Sequence, residues 1–297
     1  MRRLEFVIPP EYDEKTVYTF LKGKVRISLA LLRSLKRVEN GIELNGVHTR
    51  TVDLIHSGDI LSINIPDDGV CAEDDGEKKT QAHSDPEIIF EDEDILVVNK
   101  PALLPIHESH NHQGDTLQNV VGAYLLKQGK SASFRAVGRL DKGTSGIVVC
   151  ALNRFCAARL SGSIKKEYLA VVTGEYNEKG TVDVPIYRPD PMKTYRTCDE
   201  RGDRAVTHYS PEKKGNGLTL MRIKLETGRT HQIRVHFAHL GTPLVGDTMY
   251  GKADERITHQ CLHCAKAVFI HPLTGEEIIC EAPMPEDMQR IADSIDN

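Results

Sequence analysis

A strongly acidic stretch of the sequence divides the chain into two unequal parts. Residues 67–94 contain 12 acidic residues and two lysines, which gives them a net charge of −10. Within this stretch, residues 67–86 are poor in bulky apolar side chains, so they cannot bury enough apolar surface to offset the entropy of ordering. They are therefore predicted to form a linker between a small domain, residues 1–66, and a larger domain, residues 87–297.

The negative charge of the chain is distributed unevenly along the sequence. The whole chain of 297 residues has a formal net charge of −5, but residues 1–66 carry +2 and residues 95–297 carry +3. Because the acidity lies mainly in one connecting segment, the net charge of the whole chain is a poor guide to its partner.

Three further features bear on the cellular setting. No apolar run reaches the roughly 18 residues of a membrane span. The N-terminus lacks the apolar core of a signal peptide, and the seven cysteines have no regular spacing. We therefore expect a reduced cytoplasmic protein without membrane contact, and a monomer.

The most basic part of the small domain runs from residue 22 to residue 37. Its cations, which no acid neutralises locally, are Lys22, Lys24, Arg26, Arg33, Lys36 and Arg37. Leucines recur there at helical spacing, so a short basic amphipathic helix is predicted, with Ser28 as N-cap and Gly41 as its stop. The dipeptide Asn45-Gly46 then predicts a two-residue hairpin turn, and residues 60–65 alternate as a strand does.

The larger domain contains more strand patterns than helix patterns. Strand-like runs occur at residues 95–98, 146–151, 168–173, 218–225 and 267–271. Helical patterns occur at residues 116–128, 154–165, 231–240 and 285–291. Many strands with a few scattered helices predict an α+β fold, built on a mixed, mainly antiparallel sheet, beside a small α+β domain.

One turn-rich segment, Val137 to Gly146, presents a carboxylate just before an apolar strand. Asp141 lies there between Arg139 and Lys142. A neighbouring cation favours the ionised form of a carboxylate, which a nucleophile or a general base requires. The alternative is an ordinary turn, because Asp-Lys-Gly is a common turn sequence.

A second segment, Leu225 to His236, runs from a strand through a glycine turn into a helix. Thr230 is predicted as the N-cap, which places Arg234 about one helical turn away and His231 near the helix start. Arginine and histidine at such a place can bind a phosphate or a carboxylate. The alternative is a solvated basic helix start.

These segments and several others resemble, in order, the motifs of the RluA-type RNA pseudouridine synthases. The matching segments are Asn99–His107, Gly138–Gly146, Lys166–Val172, Gly228–Ala238 with Leu240–Asp247 and Tyr250-Gly251, and His271–Glu277. Residues 22–65 resemble the small RNA-binding domain named after ribosomal protein S-four. These matches cover nearly the whole chain in the family's order. The complete set is therefore far more specific than any single match.

The sequence departs from the family pattern in two loops. Leu103 stands where the family usually has glycine, and Glu108 stands where proline is common, so the first-motif loop has its own local shape. Gly138 opens the signature loop in place of the commoner histidine. None of these changes removes a side chain that the chemistry needs.

The resemblance implies an isomerase that needs neither metal nor redox cofactor. Pseudouridine formation breaks the N1–C1′ bond of uridine, turns the base and rejoins it through C5. Asp141 is implied as the essential carboxylate, by attack on ribose or base or by proton abstraction. Tyr168 is implied to stack on the target base, with a further role in late proton transfer as an option, and Arg234 to pair with Asp141. Arg139 is implied to assist base flipping or to fill the vacated stack.

Further substrate contacts are expected from cations and one histidine. They are Arg229, His107 and the six cations of residues 22–37. The partner is expected to be a structured RNA whose phosphates these cations contact. The resemblance implies large-subunit ribosomal RNA, because a basic N-terminal RNA-binding domain in this family is associated with that target, and transfer RNA is the alternative.

Other functional classes are weaker alternatives. The pair Cys261-x-x-Cys264, with His259 and His263 nearby, could suggest a zinc site. The sequence has only one such cysteine pair, however, and the matching segment of the family needs no metal. A hydrolase with paired carboxylates would need a second acid, for which Asp247 is the one candidate. A non-catalytic RNA-binding protein would not need Asp141, Tyr168 and Arg234 together.

Overall fold

A computed structural model describes residues 1–66, 84–109 and 113–295 of the chain. The predicted acidic linker falls almost wholly outside the described residues. Residues 1–66 are called the small unit below, and residues 84–295 the large unit. No helix in the described part of the chain is both long and apolar enough to cross a membrane.

The small unit consists of two antiparallel sheets and two short helices. Its elements are β1 (Arg2–Val7), β2 (Lys15–Thr16), α1 (Val17–Gly23), α2 (Leu29–Leu35), β3 (Ile42–Leu44), β4 (Val47–His48), β5 (Leu54–Ile55) and β6 (Ile60–Ile65). The larger sheet has the order β1-β6-β3-β4, and β2 pairs with β5. The hairpin predicted at Asn45-Gly46 joins β3 to β4, and the predicted strand over residues 60–65 is β6.

The basic segment forms two helices rather than one. Ser28 caps α2 as predicted, because its hydroxyl accepts a hydrogen bond from the Leu31 amide at 3.1 Å. The predicted stop at Gly41 is wrong, since α2 ends at Leu35 and a turn follows. Before α2, Arg26 adopts a left-handed backbone with φ of 55°, which reverses the chain and separates α1 from α2.

The large unit is built around one extended sheet. Its elements are β7 (Glu87–Glu91), β8 (Ile95–Lys100), α3 (Leu117–Lys127), β9 (Arg135–Val137), β10 (Ser145–Ala151), α4 (Arg154–Leu160), β11 (Lys165–Thr173), β12 (Gly180–Asp183), β13 (Ile186–Tyr187), β14 (Thr197–Cys198), β15 (Val206–Gly215), β16 (Leu218–Leu225), α5 (Gln232–His239), β17 (Leu262–Ile270), β18 (Glu277–Glu281) and α6 (Glu286–Asp293). All neighbouring strands of this sheet are antiparallel except β10 and β17, which confirms the predicted fold class.

The strand order places the two predicted site-bearing strands close together. The sheet runs β12-β15-β16-β11-β17-β10-β8-β7, with β18 added beside β17 and β9 beside β10. On β17, Cys264 pairs with Tyr168 of β11 on one side and with Gly146 of β10 on the other. A Cβ on Gly146 would lie 2.3 Å from the Cys264 carbonyl oxygen, so this parallel pairing requires glycine.

An ion pair joins the small unit to the large one. The guanidinium of Arg2 donates to both carboxylate oxygens of Asp94, at 2.9 and 2.8 Å. Asp94 is buried and also accepts from the Asn153 side chain at 2.7 Å. A second contact runs from Arg159 of α4 to the Val25 carbonyl at 3.1 Å. The two units therefore share an interface beside the N-terminal strand.

Candidate active site

A cavity of about 490 Å³ opens between the ends of β10, β11 and β16 and the start of α5. Its volume lies within the roughly 300–1,000 Å³ that is usual for small-ligand sites. Eight charged or aromatic side chains line it: Arg139, Asp141, Lys166, Tyr168, Glu226, Arg229, His231 and Arg234. The structure thus brings the three residues predicted to be catalytic to one cavity.

The loop that carries Asp141 is held from three directions. The Thr144 amide donates to the Asp141 carbonyl at 3.0 Å and closes a turn. The Thr144 hydroxyl accepts from the Gln260 side chain, and the Ser145 hydroxyl lies 2.9 Å from Nδ1 of the buried His263. The side chains of Thr144 and Ser145 therefore bind the loop to Gln260 and His263, near the start of β17.

Lys100 also holds the loop that carries Asp141. Its fully buried ammonium donates to the carbonyls of Pro101, Leu104 and Lys142, at 2.8, 2.9 and 3.1 Å. Burial lowers the pKa of Lys100 to about 7, although the nearby Asp141 favours the charged form. This lysine joins the first-motif loop to the signature loop.

Arg234 is positioned mainly by Asp247 and faces Asp141 with its remaining nitrogen. Its Nε and Nη2 donate to the two oxygens of Asp247 at 2.7 and 2.8 Å. Nη1 lies 3.4 Å from Asp141 Oδ2. Burial opposes the charge of Arg234, but its hydrogen-bonded partner Asp247 keeps the pKa above the ordinary value. The side chain of Asp247 is 0% exposed, whereas that of Asp141 is 23% exposed.

His231 approaches Asp141 from a second side. Its Nε2 lies 3.9 Å from Asp141 Oδ1, and its Nδ1 lies 2.8 Å from the Tyr250 hydroxyl. That hydroxyl also accepts the Arg196 amide at 2.9 Å, so its own proton is directed to Nδ1. Burial lowers the pKa of His231, which favours the neutral imidazole with its proton on Nε2, facing Asp141.

The start of α5 differs from the prediction. Thr230 is not the N-cap; His231 occupies that position in a left-handed conformation, with φ of 59° and no side-chain cap. A non-glycine residue in this region is strained, and such strain is concentrated at functional sites. The strained backbone turns the His231 side chain into the cavity.

Tyr168 lies on the cavity wall at an irregularity of its strand. The pairing of β11 with β17 shifts register between Glu167 and Tyr168, and such bulges redirect a side chain. Burial raises the pKa of Tyr168 well above its ordinary value. The phenol therefore stays neutral at physiological pH.

The other predicted substrate contacts lie at different distances from the cavity. Arg139 and Arg229 are exposed on its wall, and Arg229 also binds the Arg204 carbonyl and Asp203. His107 is not among the described residues that line the cavity. It is exposed, and its Nδ1 lies 3.1 Å from the Gln118 side chain.

The six cations of residues 22–37 lie on the small unit. Lys22 is half-buried and donates to the Ile27 carbonyl, whereas Lys24 is exposed and pairs with Glu11. The other four, Arg26, Arg33, Lys36 and Arg37, are exposed.

The cysteines and histidines considered as zinc ligands have other partners. His263 is engaged by Ser145 and by the Ala282 carbonyl, and His259 by Asp287. Cys264 is buried in the strand between Tyr168 and Gly146. In the described ranges, no three His, Cys, Asp or Glu side chains cluster in a way that could hold a metal ion.

Several residues of the site were missed or underrated by sequence reasoning. The sequence suggests Asp247 only as the second acid of a hydrolase, yet it positions Arg234, and it suggests no role for Lys100 or Tyr250. Arg196 lies outside every quoted motif, whereas the other three residues belong to one. Their contacts join residues distant in sequence, so residue spacing alone could not reveal them.

Comparison with known proteins identifies the family. Residues 94–239 match the family model described as RNA pseudouridylate synthase. The chain is 36% identical over 276 residues to the uncharacterized RNA pseudouridine synthase YjbO of Bacillus subtilis, covering 91% of this chain and 95% of the relative. It is 35% identical to the ribosomal large subunit pseudouridine synthase D of Vibrio cholerae, covering 84% and 82%.

A solved structure agrees with these relatives. The human RNA pseudouridylate synthase domain containing 1 superposes with a TM-score of 0.56 at 26% identity, covering 67% of this chain and 83% of that chain. As its ordered RluA-type motifs predict, the chain belongs to the family of RNA pseudouridine synthases.

Proposed function

We propose that the chain isomerises uridines of large-subunit ribosomal RNA, with Asp141 as the carboxylate that acts on the target nucleotide. One observation carries the role of Asp141: it is a partly exposed carboxylate on a cavity wall, facing a guanidinium that a buried aspartate holds in place. This arrangement orients Asp141 while leaving it accessible to substrate. The ribosomal target is supported by relatives named for the large ribosomal subunit.

The cavity residues suggest how a uridine is held. The target nucleotide must leave its stack, at a cost of a few kcal/mol that is least in loops and bulges. Arg139, exposed at the cavity wall, is placed to assist that step, and the neutral ring of Tyr168 offers a face for stacking. Arg229 supplies a further cation, whereas His107, outside the cavity lining, would contact RNA beyond the target nucleotide.

The small unit is proposed to bind the RNA backbone. We place the domain boundaries at 1–66 and 87–297, with residues 67–86 as linker, and we propose a ribosomal-protein-S-four type of domain for the first. Its exposed cations would make phosphate contacts without reading sequence. The protein is proposed to act as a cytoplasmic monomer.

The test of Asp141 is its replacement by asparagine. Asp141→Asn keeps size and much hydrogen bonding but removes the charge, so pseudouridine formation should be lost while RNA binding is retained. Purified protein is incubated with ribosomal RNA from cells that lack it, and pseudouridine is mapped by chemical labelling and primer extension. The control is Asp254→Asn, which alters a carboxylate outside the cavity, paired with Arg256. Significant turnover by Asp141→Asn would refute the assigned role.

Tyr168 is tested with two substitutions. Tyr168→Phe keeps the stacking face and loses the hydroxyl, whereas Tyr168→Ala loses both. If the ring stacks on the base, the alanine variant should bind substrate RNA about tenfold more weakly than the phenylalanine variant, from the roughly 1–3 kcal/mol of a base stack. Equal affinities of the two variants would mean that the ring does not contact the base.

The RNA target is tested by mapping pseudouridine in cells that lack the protein. The proposal expects specific sites to disappear from large-subunit ribosomal RNA and to return when the wild-type chain is restored. Loss confined to transfer RNA would contradict the ribosomal target but leave the role of Asp141 intact.

A further inference from the structure

Beside the cavity lies an arm segment, residues 184–205, that is fixed to α5 and to Tyr250. Its backbone closes on itself through two hydrogen bonds between Ile186 and Asp203, at 2.9 and 3.0 Å. The ring of Tyr195 stacks on Tyr250 with 5.1 Å between centroids. The Val184 carbonyl lies 3.0 Å from His236 of α5. The arm is thus held against the same helix that carries Arg234.

Two arginines of the arm converge on one point. Nε of Arg188 donates to the Lys193 carbonyl at 3.0 Å, and Nη1 of Arg196 lies 3.4 Å from the same oxygen. Nη1 of Arg196 also donates to the carbonyls of Thr194 and Tyr195, at 2.7 and 3.0 Å. Backbone carbonyls therefore fix both guanidinium groups but do not neutralise them.

Acidic residues of the arm point elsewhere. Asp199 forms a two-point pair with Arg201, and Asp203 lies 3.4 Å from Arg229. Asp190 accepts from the Met192 amide at 2.8 Å and forms an ion pair with Lys193 at 3.8 Å. In the described part of the chain, no carboxylate lies within ion-pair distance of Arg139, Arg188 or Arg196.

Arg139 lines the cavity, and the arm is connected to the cavity wall through Tyr250. The Arg196 amide donates to the Tyr250 hydroxyl, which contacts His231 on the cavity wall. Burial lowers the pKa of Arg196, and the nearby charges of Arg188 and Arg139 lower it further. Fixed like charges without an acid repel one another, so an anion placed among them would be stabilised.

We propose that Arg139, Arg188 and Arg196 form a binding site for a phosphodiester group of RNA at the mouth of the cavity. This inference rests on the proposed function, because the phosphate would belong to the strand that presents the target uridine. Arginine suits the task, since its planar fork binds two phosphate oxygens at once. The site would fix the backbone beside the flipped nucleotide, whereas the small unit would hold more distant phosphates.

The first experiment measures the salt dependence of RNA binding. The probe is a fluorescein-labelled oligouridylate of about a dozen nucleotides, titrated by anisotropy between about 50 and 200 mM KCl. Arg188→Gln should reduce the slope of log affinity against log salt by about 0.7 and weaken binding roughly five- to tenfold at low salt. Arg196→Lys, which keeps the charge but loses the fork, should weaken binding less.

The control is Arg290→Gln, which removes an exposed cation of α6 that lies outside the cavity lining. It should leave the slope within about 0.2 of wild type. The proposal is overturned if Arg188→Gln keeps the wild-type slope, or if Arg290→Gln lowers the slope equally.

A second experiment identifies the phosphate itself. Oligouridylates with a single neutral methylphosphonate linkage, moved along the chain, are titrated against wild type and Arg188→Gln. At one position of the neutral linkage, we expect the affinity of the wild type to fall. The affinity of Arg188→Gln should not fall further at that position, because this variant already lacks the contact. Additive losses at every linkage would refute the site. Both readouts are binding constants, so they stand whether or not Asp141→Asn abolishes turnover.

Discussion

The small and large units place their ionisable groups in opposite ways. Within residues 1–66, all of which are described, Glu43 is the one buried charged side chain. The large unit buries Asp94, Lys100, Arg234 and Asp247, and several histidines as well. Burying a charge is costly unless it is paired, so the large unit gives up stability for fixed geometry. The exposed cations of the small unit, by contrast, cost little folding free energy. They contribute affinity for RNA but do not fix its orientation.

Among the substitutions that test this contrast between buried and exposed charges, Asp247→Asn is expected to have the largest effect on stability and turnover. Asp247→Asn removes the carboxylate that neutralises a buried guanidinium, so the free energy of unfolding should fall by about 3–5 kcal/mol. Turnover should also collapse, because Arg234 loses its position beneath Asp141. Denaturant unfolding and pseudouridine assays measure the two effects.

The matched control for Asp247 is Asp254→Asn. Asp254 also pairs at two points with an arginine, Arg256, but that pair is partly exposed, with side chains 22% and 47% accessible. It should cost no more than about 1 kcal/mol. Equal costs at the two aspartates would contradict the contrast between buried and exposed pairs.

Arg234 tests whether geometry matters apart from charge. Arg234→Lys keeps one positive charge but cannot reach both Asp247 oxygens and Asp141 together. Turnover should fall at least about tenfold, which corresponds to roughly 1.4 kcal/mol of transition-state stabilisation. Arg229→Lys makes the same change at an exposed arginine of the same cavity and should affect turnover less. A reversed ranking would point to Arg229 as the true partner of Asp141.

Acid should destabilise the large unit more than the small one. Burial lowers the pKa of His231, His236 and His263 below the ordinary value of 6.5. The unfolded chain therefore binds protons that the folded chain binds less readily, so stability is highest above about pH 6.5 and falls as the pH drops below it. Hydrogen exchange at pH 7.5 and 5.5, compared element by element, should show protection lost mainly from α5, β10 and β17, which carry or contact these histidines. Uniform loss would contradict this reasoning.

The smallest effect per residue is expected from the exposed cations of the small unit. Replacing Arg33, Lys36 and Arg37 together by glutamine should reduce the salt slope of RNA binding by about 0.7–0.9 for each phosphate that these cations neutralise in the wild type. Turnover at saturating RNA should change less than about twofold. Arg50→Gln, at an exposed cation paired with Asp53, should leave the slope unchanged. An unchanged slope for the triple variant would mean that this basic face is only a solvated surface.

Local patterns predicted local structure well. The strand at residues 218–225 was found as predicted, and α3 begins at the Thr116 cap. By contrast, β15 has little apolar alternation and contains Pro211, so its sequence does not resemble a strand; its pairing with β16 stabilises it. The start of α5 was misassigned because tertiary contacts hold His231 in a conformation that few residues adopt unaided.

In the candidate site, too, some features could be predicted from the sequence and others could not. Asp141, Tyr168 and Arg234 belong to motifs, so the resemblance pointed to them directly. What positions them could not be read from spacing: the Arg234–Asp247 pair and the three carbonyls around Lys100 exist only once distant segments pack. Sequence motifs thus indicate the chemistry, whereas long-range packing determines its geometry.

The central place of β17 has a consequence for the newly made chain. The contact of Ser145 with His263 spans 118 residues, and β17 separates the strands that lead to Asp141 and Tyr168. At about 5–20 residues per second, a ribosome needs roughly 6–24 s to synthesise that interval. Until β17 emerges, β10 and β11 have no strand between them and the cavity cannot close. The nascent chain therefore becomes competent only after β17 has left the ribosome.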